Sequence, residues 1–327
     1  MAKWKNVQVG KIDLDTCGAA LLLDVSREDR IEVLRGGQAT EEDLANPEIL
    51  CIEVGGSGRV TEGNFDHHGT GSDGLPSATL QAWRSLERWP DCGHTVIGQL
   101  PDPCDFVSFV VNCYDNTEET RTWAIALSRL VEYINLLDTV GPAGLGRRQE
   151  GMFPTLSDVF AGILLVTRDP VEQLHSGVEM LRQVVLLGID PYGRMPVNRV
   201  ILLKWATYAE AKAEHNRLGK EAVEKAQWGK TSSGLRMAVV ESRFIGAIGE
   251  LYGVGAKVAV VLNPNYDGVR KFTVAGNSVR VNAILPELNA REPGWGGPGN
   301  GTILGSPRGK DSILSLEEVA QIVRRTL

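Results

Sequence analysis

The 327-residue sequence predicts an α/β protein in two parts, a larger N-terminal part joined by one long helix to a smaller α/β domain. Three observations carry this. In the first half, apolar runs of strand length end in acidic or glycine-rich turns and give way to stretches of helical period. Residues 197–227 form one long run rich in Ala, Glu and Lys, which would be unusually exposed unless it connects two bodies. Beyond residue 234 the pattern changes to strands alternating with short helices.

Taken in order, Val7 to Val9 opens a strand, Asp13-Leu14-Asp15 forms a turn, and Thr16 to Leu23 begins a buried helix. Strand, acidic turn and helix make the unit whose loops carry sites at strand C-termini. A second strand runs from Ile49 to Val54 and ends in Glu53 and Gly55-Gly56, and Asn64-Phe65-Asp66 leads into His67-His68 and the turn Gly69-Thr70-Gly71. From Ser77 the spacing of Leu80, Trp83 and Leu86 is helical, and Trp89 to Cys104 is a loop punctuated by Pro and Gly. A long amphipathic helix extends from an N-cap at Thr117 through Leu137, which places Asp138 at its C-terminus, where a carboxylate is disfavoured without a compensating cation. Further helices fit Leu156 to Val166 and Pro170 to Gly188, the second with Pro in its first turn and Gly at its stop. After the connecting helix, Met237 to Glu241 and Lys257 to Leu262 read as strands flanking a helix, with a third strand at Lys271 to Val274. A Gly-rich stretch, Glu292 to Thr302, precedes a final helix that opens with a capping box at Ser315 and Glu318.

Apolar residues at 43% and charged residues at 23% suit a soluble globular chain. The formal charge of −7 argues against holding long duplex nucleic acid, which calls for a basic face, but leaves a short anionic substrate open. The N-terminus has no signal-peptide pattern, and the longest apolar stretches, such as Phe160 to Val166, fall short of the ~20 residues that span a bilayer, so a cytoplasmic protein is expected. Five cysteines without framework spacing fit reduced thiols. Cys92, His94, Cys104 and Cys113 could supply four zinc ligands, although the paired CxxC knuckle is missing.

Asp66-His67-His68 is the most informative stretch, because it holds two of the five histidines at the end of a strand with a Gly-rich exit. Adjacent residues on an extended segment point to opposite faces, so one imidazole could bind a metal while the other meets a substrate. Asp13, Asp15, Glu53, His67 and Asp138 each stand at or near the end of an expected element. Oxygen donors with one nitrogen suit Mn²⁺ or Mg²⁺, and two ions ~3.5–4 Å apart could hold an attacking hydroxide and a phosphoryl oxygen.

Asp13-x-Asp15, the acidic strand end at Glu53, Asp66-His67-His68 and Asp138 resemble, in order and approximate spacing, the four motifs of the DHH phosphoesterase superfamily. That group includes RecJ-type exonucleases, nano-RNases, phosphoadenosine-phosphate phosphatases and family II inorganic pyrophosphatases. The second half is similar to its accessory DHHA1 domain. The resemblance implies a doubly wound, mostly parallel sheet in a metal-binding domain over 1–195, a connecting helix and linker over 196–230, and a DHHA1-like substrate domain over 231–327. It implies two manganese ions, with magnesium as a substitute: Asp13 and Asp15 each on one ion, Glu53 bridging, and His67 and Asp138 completing the second site. His68 would face the substrate phosphate and Asp66 would orient a histidine. Gly296 and Gly297, with Gly299 and Gly301 nearby, would stand in the family's Gly-rich loop, and Arg280, Arg291, Arg308 and Lys310 could pair with phosphate oxygens.

Three positions depart from the family pattern. Val9 stands where a histidine is usual, which removes a ligand from the first metal site; Glu53 stands in place of Asp; and Pro298 in Trp295-Gly296-Gly297-Pro298 replaces the loop histidine. The reading is a manganese-dependent phosphoesterase that hydrolyses a short oligonucleotide, nucleotide or polyphosphate by metal-activated hydroxide. The alternative is a degenerate member that binds a nucleotide or protein without turnover. Neither reading involves a membrane, and the oligomeric state stays open, a homodimer included.

Overall fold

The computed structural model describes residues 4–34, 37–68, 74–85, 118–140, 152–197, 203–297 and 299–327. The turn at Gly69-Thr70-Gly71, the cap at Thr117, the zinc alternative at Cys92, His94, Cys104 and Cys113, and Pro298 lie outside the described residues. The chain divides into two units, residues 1–212 and 213–327.

In the first unit β1 (Asn6–Val9), β2 (Ile31–Val33), β3 (Ile49–Ile52) and β4 (Asn64–Phe65) form one parallel sheet in the order β2-β1-β3-β4. The sequence of β3, Ile-Leu-Cys-Ile, is apolar at every position because all four residues are buried, as a central parallel strand requires. Around the sheet stand α1 (Leu14–Leu22), α2 (Glu41–Leu44), α3 (Ala78–Ser85), α4 (Glu118–Val140), α5 (Leu156–Val166) and α6 (Pro170–Leu186). Every residue of α1 is buried, and it packs on α3, α4 and α6. That crossing depends on small side chains. A Cβ on Gly18 would fall 2.4 Å from Thr79 Oγ1 and 2.9 Å from Ile134 Cδ1.

Helix starts follow their capping chemistry. Thr155 and Asp158 form a capping box at α5, and Asp169 caps α6 with Pro170 in its first turn, each cap contributing about 1 kcal/mol. The first helix starts at Leu14 rather than Thr16, because the Asp13 side chain accepts the Thr16 N–H and so acts as its N-cap. Strand β2 has no sequence counterpart above. Its three residues, Ile-Glu-Val, are too few to show a period.

Helix α7 (Leu203–Lys225) begins in the first unit and continues into the second, and ends two residues before Gln227 because Gln227–Lys230 form β5. In the second unit β5, β6 (Arg236–Glu241), β7 (Val258–Tyr266), β8 (Val269–Gly276) and β9 (Ile303–Gly305) lie in that order, β6 and β7 parallel and the other pairs antiparallel. Side chains alternate along β7. Val258, Val260 and Leu262 join one core with Val319, Ile322 and Val323 of α10 (Leu316–Thr326) and Leu288 of α9 (Leu285–Arg291). Ala259 and Val261 join another with Ala247 and Leu251 of α8 (Ala247–Gly253) and with Ala222 of α7. Burial on both faces explains why the apolar run over residues 258–262 is unbroken. The capping box at Ser315 and Glu318 starts α10 as expected. No described helix is long and apolar enough to cross a membrane.

The ends of β1 and β3 approach closely. Gly10 donates its N–H to the Ile52 carbonyl at 3.1 Å, and a Cβ on Gly10 would lie 2.1 Å from the Glu53 carbonyl oxygen. Gly10→Ala must therefore move backbone, and we expect it to cost about 2–3 kcal/mol in urea denaturation. Stability within about 0.5 kcal/mol of wild type would show that the two strand ends are not held as described.

Candidate metal centre

The parallel ladders bring three strand ends to one edge. Glu53 follows β3, Asp66-His67-His68 follows β4, and Lys11 and Asp13 follow β1. Glu53 has a left-handed backbone, φ 57°, and its N–H donates to the Phe65 carbonyl at 2.9 Å, which ties it to β4. Its carboxylate is 1% exposed and neither oxygen makes a hydrogen bond.

His67 Nε2 lies 2.7 Å from Asp138 Oδ2, 3.2 Å from Glu53 Oε1 and 3.9 Å from Asp15 Oδ2. These contacts are short enough for strong charge interaction, yet His67 Nε2, Asp138 Oδ2 and both Glu53 oxygens have no properly directed hydrogen-bond partner. Buried donor atoms gathered this closely without directed bonds form a group that could hold a metal ion. One donor atom from each of Asp15, Glu53, His67 and Asp138 falls within 4.8 Å of the others, and Glu53, His67 and His68 form a second such group. Three carboxylates and one imidazole are the donor set of a hard or borderline divalent ion.

Each remaining residue has a definite place. Asp15 accepts the N–H of Ala78 at 2.7 Å and of Thr79 at 2.9 Å, so it also closes the N-terminus of α3. Asp13 is not among the converging donors. One of its oxygens caps α1 through Thr16 N at 2.9 Å, and the other meets Lys11 Nζ at 2.9 Å. Val9 is wholly buried in the core. Asp66 accepts the backbone N–H of Gly55 at 2.6 Å and of His68 at 2.7 Å, so its carboxylate braces the loop backbone. His68 is half exposed, with Nε2 3.5 Å from Glu53 Oε1.

Charge coupling follows from this packing. Asp138, then Glu53, raise His67 against the opposing effect of burial, to about 10. Burial raises Glu53, and it raises Asp15 against the amides of Thr79 and Ala78. Burial also pulls Asp138 upward, but the contact with His67 outweighs it and leaves the carboxyl below its ordinary value.

In the second unit a cleft of about 700 Å³ is lined by Lys271, Thr273, Gly294, Gly296, Gly297, Ser306 and Arg308, among others. Gly296, Gly297 and Arg308 all line this cleft. Arg280 is exposed and outside the lining, and Arg291 faces Glu287 at 3.4 Å and Glu318 at 3.8 Å, because α9 points it at acidic neighbours. Sequence reasoning misses Lys271, which only the β8 register brings to the loop, and Glu292. Buried Glu292 accepts from Trp295 Nε1 at 2.8 Å, Ser312 Oγ at 2.7 Å and Ile313 N at 2.7 Å, and anchors the Gly-rich loop.

A parallel N-terminal sheet with helices around it, followed by a second α/β unit, agrees with the α/β fold class expected from the sequence. No protein-family model matches the sequence, and no curated protein does. Among solved structures, the chain is similar to the pGpG-specific phosphodiesterase PggH from Vibrio cholerae at 11% identity, with 97% of this chain and 96% of that one covered and a TM-score of 0.40. It is similar to the DHH domain of a protein described as a member of a ribosomal-protein family at 12% identity, with 98% and 85% covered and a TM-score of 0.38. An uncharacterized protein from Helicobacter pylori G27 matches at 13% identity over 98% and 99%, with a TM-score of 0.22.

A ligand imidazole must be neutral, whereas His67 without metal holds its proton up to about 10. If a divalent ion binds at the group that includes His67, its binding near neutral pH should release about one proton and strengthen roughly tenfold per pH unit. Calorimetry in buffers of different ionisation enthalpy measures the release; none would remove His67 from the ligand set. Without metal, the same shift stabilises the fold fully below 6.5, and that contribution disappears as pH rises through about 10.

Proposed function

We propose that the protein is a DHH-type phosphoesterase dependent on a divalent metal, manganese in preference to magnesium, acting on a short oligonucleotide, a nucleotide or a polyphosphate. The observation that carries the reading is the convergence of Asp15, Glu53, His67 and Asp138 on a point where their buried atoms have no directed hydrogen bonds. A bound divalent ion supplies there a Lewis acid for phosphoryl oxygens and lowers the pKa of water.

The chain's own groups have distinct tasks in this reading. Glu53, His67, Asp138 and Asp15 hold the ion. His68, beside Glu53 and half exposed, is the group free to bond a phosphoryl oxygen of the substrate, and Asp66 keeps it in place through its backbone N–H. In the second unit, Lys271 and Arg308 offer positive charge beside the glycines of the cleft, where a backbone without side chains lets a phosphate approach closely. An overall charge of −7 selects against long duplex and fits these local basic groups to short anions.

The test is a screen of dinucleotides, nucleotide phosphates and pyrophosphate with Mn²⁺. Asp138→Ala should lower kcat/KM on the accepted substrate by at least about 100-fold, since it removes a ligand. If no class is hydrolysed while manganese still binds, the alternative of a binding protein without turnover stands instead. Lys271→Ala and Arg308→Ala should each raise KM by about tenfold and leave manganese affinity unchanged. An unchanged KM in both would remove the second-unit cleft from substrate recognition.

A further inference from the structure

Asp13, a ligand of the first of two ions in the resemblance, is engaged otherwise. Its Oδ1 accepts the Thr16 N–H at 2.9 Å and its Oδ2 meets the Lys11 ammonium at 2.9 Å. The same Nζ lies 3.9 Å from Glu53 Oε2. The Lys11 backbone is fixed in turn, because its carbonyl accepts Thr16 Oγ1 at 2.8 Å. Glu53 thereby faces two ways. Oε1 looks toward His67 and His68 at 3.2 and 3.5 Å, and Oε2 looks toward Lys11. Both oxygens are buried and make no hydrogen bond, and the cationic group that approaches Oε2 is the Lys11 ammonium.

Among the described residues, the groups able to gather about an ion are Asp15, Glu53, His67 and Asp138, and Glu53, His67 and His68; neither includes Asp13. Val9, the neighbouring strand residue, offers only methyl groups and is buried in the core. Lys11 is 59% exposed, and an isolated ion pair so open to water would be worth little. Its position is set by facing two carboxylates, one of them buried.

We infer that the Lys11 ammonium takes the place of a second metal ion, so that the centre binds one divalent ion and completes its positive charge with a side chain. This rests on the metal-dependent reading above and narrows it. Glu53 then bridges an ion and an ammonium instead of two ions.

Manganese titration of the intact chain followed by native mass spectrometry should give one ion per chain. Two ions would overturn the inference and leave the phosphoesterase reading standing; none would overturn that reading and the inference with it. Lys11→Met removes a positive charge beside the ligand Glu53, and manganese should then bind about tenfold more tightly, whereas Lys11→Arg should stay within about threefold of wild type. Because Lys11 is exposed, both variants should fold, which circular dichroism checks. If Lys11→Met leaves the affinity unchanged or weakens it, Lys11 serves only the Asp13 cap and the inference fails.

Discussion

A carboxylate taken from water into a protein interior loses several kcal/mol of hydration unless charges or donors replace it, and Glu53 is buried with neither oxygen in a hydrogen bond. The surrounding structure is organised about that cost. Gly10 lets the end of β1 reach the Glu53 carbonyl, the Phe65 carbonyl takes its N–H, and its left-handed backbone turns the chain at the end of β3. His67 and His68 approach one oxygen and Lys11 the other. Burial of this cost at an uncommon φ persists only where the surrounding structure over-determines it, as the contacts of Glu53 with β1 and β4 do.

The parallel sheet makes this arrangement possible. In the order β2-β1-β3-β4, the three strands whose ends carry chemistry are neighbours and run in one direction, so their C-termini open at the same edge. Helices supply the remainder. Asp15 enters from the first turn of α1 and Asp138 from the last turn of α4, where the helix dipole disfavours its charge until His67 or a metal answers it. Asp15 serves two functions, since the amides that it accepts hold α3 against α1.

The convergence is legible in the sequence wherever a residue stands at a strand or helix end, because element ends meet at one edge of a parallel sheet. Glu53, His67, Asp15 and Asp138 are of this kind. The capping role of Asp13 is also written there, in an Asp three residues before Thr16 at a helix start, but the motif resemblance makes the same residue a ligand and hides the cap. Lys11 cannot be found by spacing: an exposed lysine after a strand has no sequence signature, and its partners become neighbours only through the sheet register. The second unit shows the same limit. Arg291 lies near the Gly-rich loop in sequence, yet the rotation of α9 turns it to Glu287 and Glu318, while Lys271, about 25 residues from the loop, lines the cleft through the pairing of β8 with β9.

The electrostatics of the first unit also bear on how tightly an ion can be held. Asp13, Asp15, Glu53 and Asp138 place four carboxylates around a small volume, opposed by Lys11 and by a His67 that keeps its proton up to about 10. An ion that displaces that proton adds one net positive charge rather than two. The carboxylates are also not equal donors. Asp15 is already shared with two amides and Glu53 with an ammonium, which lowers the electron density each can give. Among the described residues, His67 makes a close charged contact with Asp138, at 2.7 Å. Asp138 and His67 are therefore linked through charge: an ion bound at this centre would replace the attraction between carboxylate and imidazolium, and the strength of that attraction would set the pH at which the exchange becomes favourable.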